Sequence, residues 1–182
     1  MYDRRQFLTT AALAGSSLAL SGIPAASRAI EPVKRNDKPK FKFSLAAYSY
    51  RGLLQGRQGK EPELTLKDFI DDCARLNLDG TELTSYYFPP NPTPEYIYGL
   101  RRHAFHQGLD VSGTAIGNEF GHPKGEKRDA EIAKTKKWID IAEMMGAPVI
   151  RIFAGHQQKG QTQEEAHALM VSAIEECCDY AG

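Results

Sequence analysis

The chain has 182 residues, 23 basic against 23 acidic side chains, and a mean hydropathy of −0.46. Zero net charge supplies no field for nucleic acid or an anionic membrane surface, so neither is an expected partner. Its three cysteines, Cys73, Cys177 and Cys178, have no metal-ligand or disulfide-framework spacing and read as small apolar side chains on helices.

In chain order, Asp3-Arg4-Arg5-Gln6-Phe7-Leu8 precedes a mildly apolar stretch, Ala11–Leu20, and a polar exit through Ser27-Arg28-Ala29. Residues 1–29 resemble a bacterial twin-arginine export signal, which implies a periplasmic protein; a basic, unstructured tail is the alternative. The apolar stretch has about 10 to 13 residues where a bilayer needs about 20, so no membrane span is expected. Removing Arg4, Arg5, Arg28 and Asp3 with the leader leaves 20 basic and 22 acidic residues. Residues 30–42, charged and broken by proline, read as a linker, and residues 43–182 as the folded part.

Four apolar runs follow: Phe43–Tyr50, Gly80–Tyr86, Asp110–Gly117 and Pro148–Ala154. Each precedes a stretch with helical spacing, and strands alternating with helices argue for βαβ units around a parallel sheet. Arg51–Pro62 is glycine-rich and predicts a mobile loop. Thr65 with Asp68 predicts a near capping box for a helix ending by Asn77, with Leu66, Phe69, Ile70, Cys73, Ala74 and Leu76 as its stripe. Thr93-Pro94-Glu95 starts a second helix that closes at Gly108, its stripe running through Tyr96, Ile97, Leu100, Ala104 and Phe105. Lys127–Met145 makes a third, capped by Gly146, and Glu164–Tyr180 a fourth, with Thr162 as its candidate cap.

Right-handed crossovers place all four strand-to-helix loops at one end of the sheet, the end where α/β enzymes bind ligands. Those loops are Arg51–Pro62, Phe88–Pro92, Asn118–Glu126 and Gly155–Gly160. Eight βα units close a barrel of about 250 residues, and four are present here.

SLAAYSYR (Ser44–Arg51), GTELTSYYFPP (Gly80–Pro90), SGTAIGNEF (Ser112–Phe120) and GAPVIRIFAGH (Gly146–His156) resemble secreted sugar phosphate isomerase/epimerase proteins of the xylose-isomerase-like TIM-barrel superfamily. The resemblance implies the first four βα units of a (β/α)8 TIM barrel. It also implies a divalent metal, manganese, magnesium or cobalt, held by two glutamates, an aspartate and a histidine from the fifth to eighth strands, with the glutamates moving a proton beside the substrate carbonyl. On that reading residues 1–182 are the N-terminal half, the catalytic and metal-binding residues follow Gly182, and the fragment alone is inactive. Open edges at the first and fourth strands, with an uncovered apolar inner face, would then favour self-association.

The residues left to this chain are a substrate wall for a sugar or sugar phosphate: Tyr48, Tyr50, Glu82, Tyr86, Asn118 and His156. Alternation along a strand lets only one set of Tyr48/Tyr50 or Glu82/Thr84/Tyr86 face the barrel axis. Glu82 either reaches the ligand or pairs with an Arg or Lys inside the barrel. Asn118, Glu119 and His122 share one loop and are sugar contacts, a secondary metal contact, or solvated. Gly155 before His156 allows close approach of a ligand, and Arg151 is a structural or phosphate-pairing charge. His103 with His106, and His167, lie on outer helices with no third ligand nearby and read as solvated or half-buried helix faces.

Two other functions would make different demands on the residues, and the second is opposed by them. A non-catalytic secreted carbohydrate-binding module would use Tyr48, Tyr50, Tyr86, Tyr87 and Trp138 as stacking platforms. An apurinic-endonuclease-like hydrolase would need histidines at the ends of strands two and three, where Thr84, Tyr86 and Asn118 stand, and a basic DNA face.

Overall fold

The computed structural model describes residues 41–56 and 61–182; the segment expected to be an export signal, most of the expected linker and part of the first loop lie outside the described residues. Four strands, β1 (Ser44–Ala46), β2 (Gly80–Thr84), β3 (Asp110–Ala115) and β4 (Ile150–Arg151), pair in parallel in the order β1-β2-β3-β4. Ser44 lies opposite Gly80, Gly80 opposite Asp110 and Thr114 opposite Ile150, with one register shift at Thr81/Glu82.

The five helices are α1 (Arg51–Leu54), α2 (Leu66–Arg75), α3 (Pro94–His106), α4 (Glu126–Met145) and α5 (Gln163–Ala181). Their ends follow the sequence signals. Thr65 and Asp68 exchange side-chain and backbone hydrogen bonds in a complete capping box on α2, and Thr162 and Glu165 do the same on α5. Thr93 Oγ1 accepts from the Tyr96 amide while Pro94 occupies the first position of α3, where its missing N–H costs nothing. Gly146 ends α4 in the left-handed region at φ 72°, a conformation that suits glycine.

Leu45, Leu83 and Val111 project from the sheet into a cluster with Phe69, Ile70, Ile97, Leu100, Trp138 and Met145 from the helices. Burying each such side chain contributes roughly 1.5–3 kcal/mol, so this layer carries most of the fold's stability. Phe88 meets Trp138 edge to face with centroids 5.1 Å apart. A smaller cluster of Phe120, Ile132, Ala173 and Cys177 fixes α5 against α4. Cys177 is buried there and its vicinal partner Cys178 is exposed, as a helix requires of neighbours.

The strands are shorter than their apolar runs. Phe43–Tyr50 yields three strand residues, because the chain turns at Ala47–Tyr50 into a 3₁₀ segment and enters α1, helical where a loop was expected. The run Gly80–Tyr86 ends likewise in a 3₁₀ turn, Ser85–Tyr87. β4 keeps two ladder residues and, among the described residues, pairs with β3 alone. Leu76 and Phe105, placed on the helix stripes by periodicity, are exposed.

The face opposite the helices is not apolar. Ser44 and Ser112 exchange a hydrogen bond at 2.6 Å across Gly80, and Glu82 accepts from the Thr84 hydroxyl at 3.3 Å. Small and polar residues on β1–β3 thus stand on this face where an apolar surface was expected from the sequence.

Candidate functional site

Parallel strands send β1 to β4 out at one edge, and the segments that leave them build a continuous rim. At its first end, Tyr48 and Tyr86 meet edge to face, 6.3 Å between centroids, and both rings are half exposed. The Arg51 guanidinium covers Tyr48 at 5.5 Å and donates to its hydroxyl at 3.1 Å. Tyr50 does not join them. A 3₁₀ turn has about three residues per revolution, so Tyr50 leaves on the opposite side to Tyr48 and packs against Phe69 at 5.1 Å. The strand alternation expected of the pair is replaced by this turn, and Tyr50 belongs to the core.

Tyr86 lies over Gly117, where a Cβ would come within 2.9 Å of its ring. Behind it a cleft of about 320 Å³ opens between the Phe88–Pro92 loop and α4, with Trp138 and Ile116 as apolar lining and Lys134 and Lys137 at its side. Glu82 sits half-buried on β2 with Thr84 as its hydrogen-bond partner; the Arg or Lys considered from the sequence is not the group that meets it.

Beyond Gly117 the loops after β3 and β4 are cross-laced. Asn118 donates from Nδ2 to the Phe153 carbonyl at 2.6 Å and accepts the Phe153 amide on Oδ1 at 2.8 Å. β3 ends at Ala115, so this side chain extends the ladder where the backbone stops; both ends of the amide are engaged in that bridge. Glu119 reaches across in the same way. Its Oε1 accepts the backbone amides of Gly121 at 2.8 Å and His156 at 2.7 Å, and its Oε2 lies 2.7 Å from His156 Nδ1. The Glu119 amide is in turn held by Glu131 on α4 at 3.0 Å.

Burial pushes the Glu119 carboxyl up, but the hydrogen bonds from His156 and Gly121 outweigh it and hold the group below its ordinary range. The Glu119 side chain is 25% exposed, whereas the His156 side chain is 87% exposed, so the imidazole stands on a half-buried anchor with its free edge in solvent. Gly155, at φ 114°, and Gly121 permit the approach, since a Cβ on the first would overlap Glu119 Oε1 and on the second the His156 carbonyl. Arg151 turns back along the sheet, donating to the Ile116 carbonyl at 3.2 Å and stacking on Phe153 at 4.3 Å. His122 is half-buried on the same loop as Glu119, outside this network.

Of the residues singled out from the sequence, Tyr48, Tyr86, Asn118 and His156 share the rim, Glu82 lies on the sheet face below it, and Tyr50 lies behind it. Glu119 is the member whose importance the sequence understated. Its partner is 37 residues away, and the only local signs were the flanking glycines at 121 and 155. Among the described residues no group of three or more His, Cys, Asp or Glu side chains stands close enough to hold a metal ion; Glu119 and His156 offer two donors. The described residues therefore do not by themselves fit the divalent metal that the resemblance implies. On the outer layer, His103 Nε2 meets Asp71 at 2.8 Å and pins α3 to α2, a structural contact rather than a ligand site.

A parallel sheet whose strands lie in consecutive order β1-β2-β3-β4, with helices between them and a polar rim at the strand exits, is the arrangement of successive units of a βα-barrel. A family profile described as Xylose isomerase-like TIM barrel matches residues 70–182, and the chain belongs to that family. Comparison with curated proteins finds no match. Among solved structures, D-psicose 3-epimerase from Clostridium cellulolyticum H10, solved with D-tagatose, is similar at 15% identity and a TM-score of 0.62, over 78% of this chain and 48% of that one. A protein from Sinorhizobium meliloti 1021 gives 18% identity and a TM-score of 0.61 over 77% and 46%. The probable 3-DHS dehydratase AsbF from Bacillus anthracis gives 16% and 0.55 over 78% and 48%. At these identities the likeness is one of fold, and the chain spans about half the length of the structures it matches.

Proposed function

We propose that the rim is the substrate wall of a sugar isomerase or epimerase, a protein that moves a proton beside the carbonyl of a sugar or sugar phosphate. The observation that carries this is the continuity of the rim. Tyr48 and Tyr86 offer aromatic faces on which a sugar ring can stack, and the Glu119–His156 pair offers a polar edge for its hydroxyls, with Gly117 and Asn118 between them. Family membership supports the reading, as does the epimerase named among the similar structures. The four-unit part seen here would then be the N-terminal part of the barrel, residues 43–182, exported to the periplasm behind a twin-arginine signal at residues 1–29.

A divalent metal of the kind the resemblance implies would take its donors from outside the described residues. The chain's own residues bind and orient. The aromatic pair holds the apolar face of the ring, and His156 holds a hydroxyl through its exposed edge.

A second reading, carbohydrate binding without catalysis, rests on the same Tyr48–Tyr86 pair. One experiment separates the two. The protein is titrated with D-fructose and followed by NMR in D₂O, with and without manganese. Shifts at Tyr48, Tyr86 and His156 together with deuterium entering beside the carbonyl support an isomerase or epimerase. Shifts without deuterium support the binding module, and no shifts at the rim sink both.

A further inference from the structure

We infer that Glu119 is a positioning residue that fixes the tautomer of His156, so that the ring turns an unprotonated Nε2 outward as acceptor for a ligand hydroxyl; the ligand half of this statement rests on the sugar-site reading above. The two carboxylate oxygens have different tasks. Oε1 already accepts two main-chain N–H groups, from Gly121 at 2.8 Å and His156 at 2.7 Å, which locks the carboxylate in place. Oε2 has the imidazole Nδ1 at 2.7 Å.

An ionised carboxylate accepts and cannot donate, so the nitrogen facing it carries the proton. A neutral imidazole has one such proton, which leaves the Nε2 lone pair free. That nitrogen belongs to the exposed edge of a ring whose side chain is 87% exposed, on the rim that also carries Tyr48 and Tyr86. The glycines at 121 and 155 serve this arrangement, because side chains there would occupy the space of the His156 carbonyl and the Glu119 carboxylate. Holding the carboxylate through the backbone of the residue it orients makes ring and anchor move together.

The isostere Glu119→Gln supplies the test. Two N–H donors still face the Oε1 position, so the amide oxygen must stay there, and the amide NH₂ is forced opposite Nδ1. The ring must then accept at Nδ1 and carry its proton on Nε2. Long-range ¹H–¹⁵N correlation spectra of the full-length protein, labelled at its histidines, read the tautomer directly at about pH 8, where a free imidazole is neutral. The expected result is Nδ1–H at His156 in the wild type, Nε2–H in E119Q, and no change at the other four of the five histidines.

A wild-type ring protonated at Nε2 overturns the assignment without any need for the variant, as does an unchanged tautomer in a folded E119Q. D-fructose is then added as the probe. Movement of the wild-type Nε2 resonance on saturation, weakened about tenfold in affinity in E119Q, supports the whole proposal. An Nδ1–H tautomer with an Nε2 resonance blind to D-fructose overturns the sugar-site reading and leaves the positioning role standing.

Discussion

The indole Nε1 of Trp138 donates to the Thr114 hydroxyl across 3.1 Å, and that hydroxyl donates to the Leu83 carbonyl. One buried relay thus joins α4 to β3 and β3 to β2. Thr114→Val leaves the indole N–H buried without an acceptor and should cost about 1–3 kcal/mol. Urea unfolding should show a lower midpoint with an unchanged slope. Because the two groups share one bond, the double substitution T114V/W138F should cost less than the sum of the singles; strict additivity would deny the coupling.

Two glycines should respond in opposite directions. Gly99 lies inside α3 with open space around the position of a Cβ, so Gly99→Ala should raise stability by about 0.5–1 kcal/mol through the unfolded chain's entropy. Gly121→Ala meets the His156 carbonyl and should loosen the loop after β4, seen as faster amide exchange at residues 153–158. Unaltered exchange there would mean that the two loops are not bound to each other.

Stability should fall on the acid side in a defined window. Hydrogen bonds from Thr65 hold Asp68 below its ordinary 3.8, Lys136 holds Glu176 below 4.5, and Glu119 is held below 4.5 by His156 and Gly121 against its burial. Each pKa is lower folded than unfolded, so the unfolded chain binds more protons between the two values and stability rises with pH there. The melting temperature should be level above about pH 5 and drop as pH falls through 4.5 and below, less steeply in Glu119→Gln. A drop that begins near neutrality would point to other groups.

On the rim, Tyr86→Ala should weaken D-fructose binding about fivefold to tenfold, roughly 1 kcal/mol, with little loss of fold because the ring is half exposed. Tyr50→Ala should do the reverse, destabilising the chain by about 3–5 kcal/mol through the cavity left against Phe69 while sparing the rim. Equal effects of both substitutions on binding, measured by NMR titration, would contradict the separation of Tyr50 from the other tyrosines.

Helix ends were legible from sequence because capping signals lie within a few residues of the helix start: Thr65 with Asp68 three positions on, Thr93 directly before Pro94, and Thr162 ahead of α5. Strand ends were not. The aromatic residues that make FSLAAYSY look extended leave the sheet at Ala47, and the choice between strand and 3₁₀ turn is made by Tyr50 finding Phe69 in another element. The rim divided along the same line. Tyr48, Tyr86 and His156 could be placed at strand exits by counting, whereas the Glu119 and Asn118 bridges join residues 37 and 35 positions apart, and nothing local to either loop announces them.

The sheet order repeats the chain order, and this has a kinetic meaning. From β2 on, each strand pairs with the strand made just before it, across one or two intervening helices, so every closure spans a similar, modest length of chain. Assembly can therefore keep pace with synthesis, each βα unit docking on a surface already formed. Pulse-labelled hydrogen exchange on ribosome-bound chains should show β1 and β2 protected before β4 has emerged. Among the described residues β4, with its two ladder residues, is then the strand that docks on the most complete sheet.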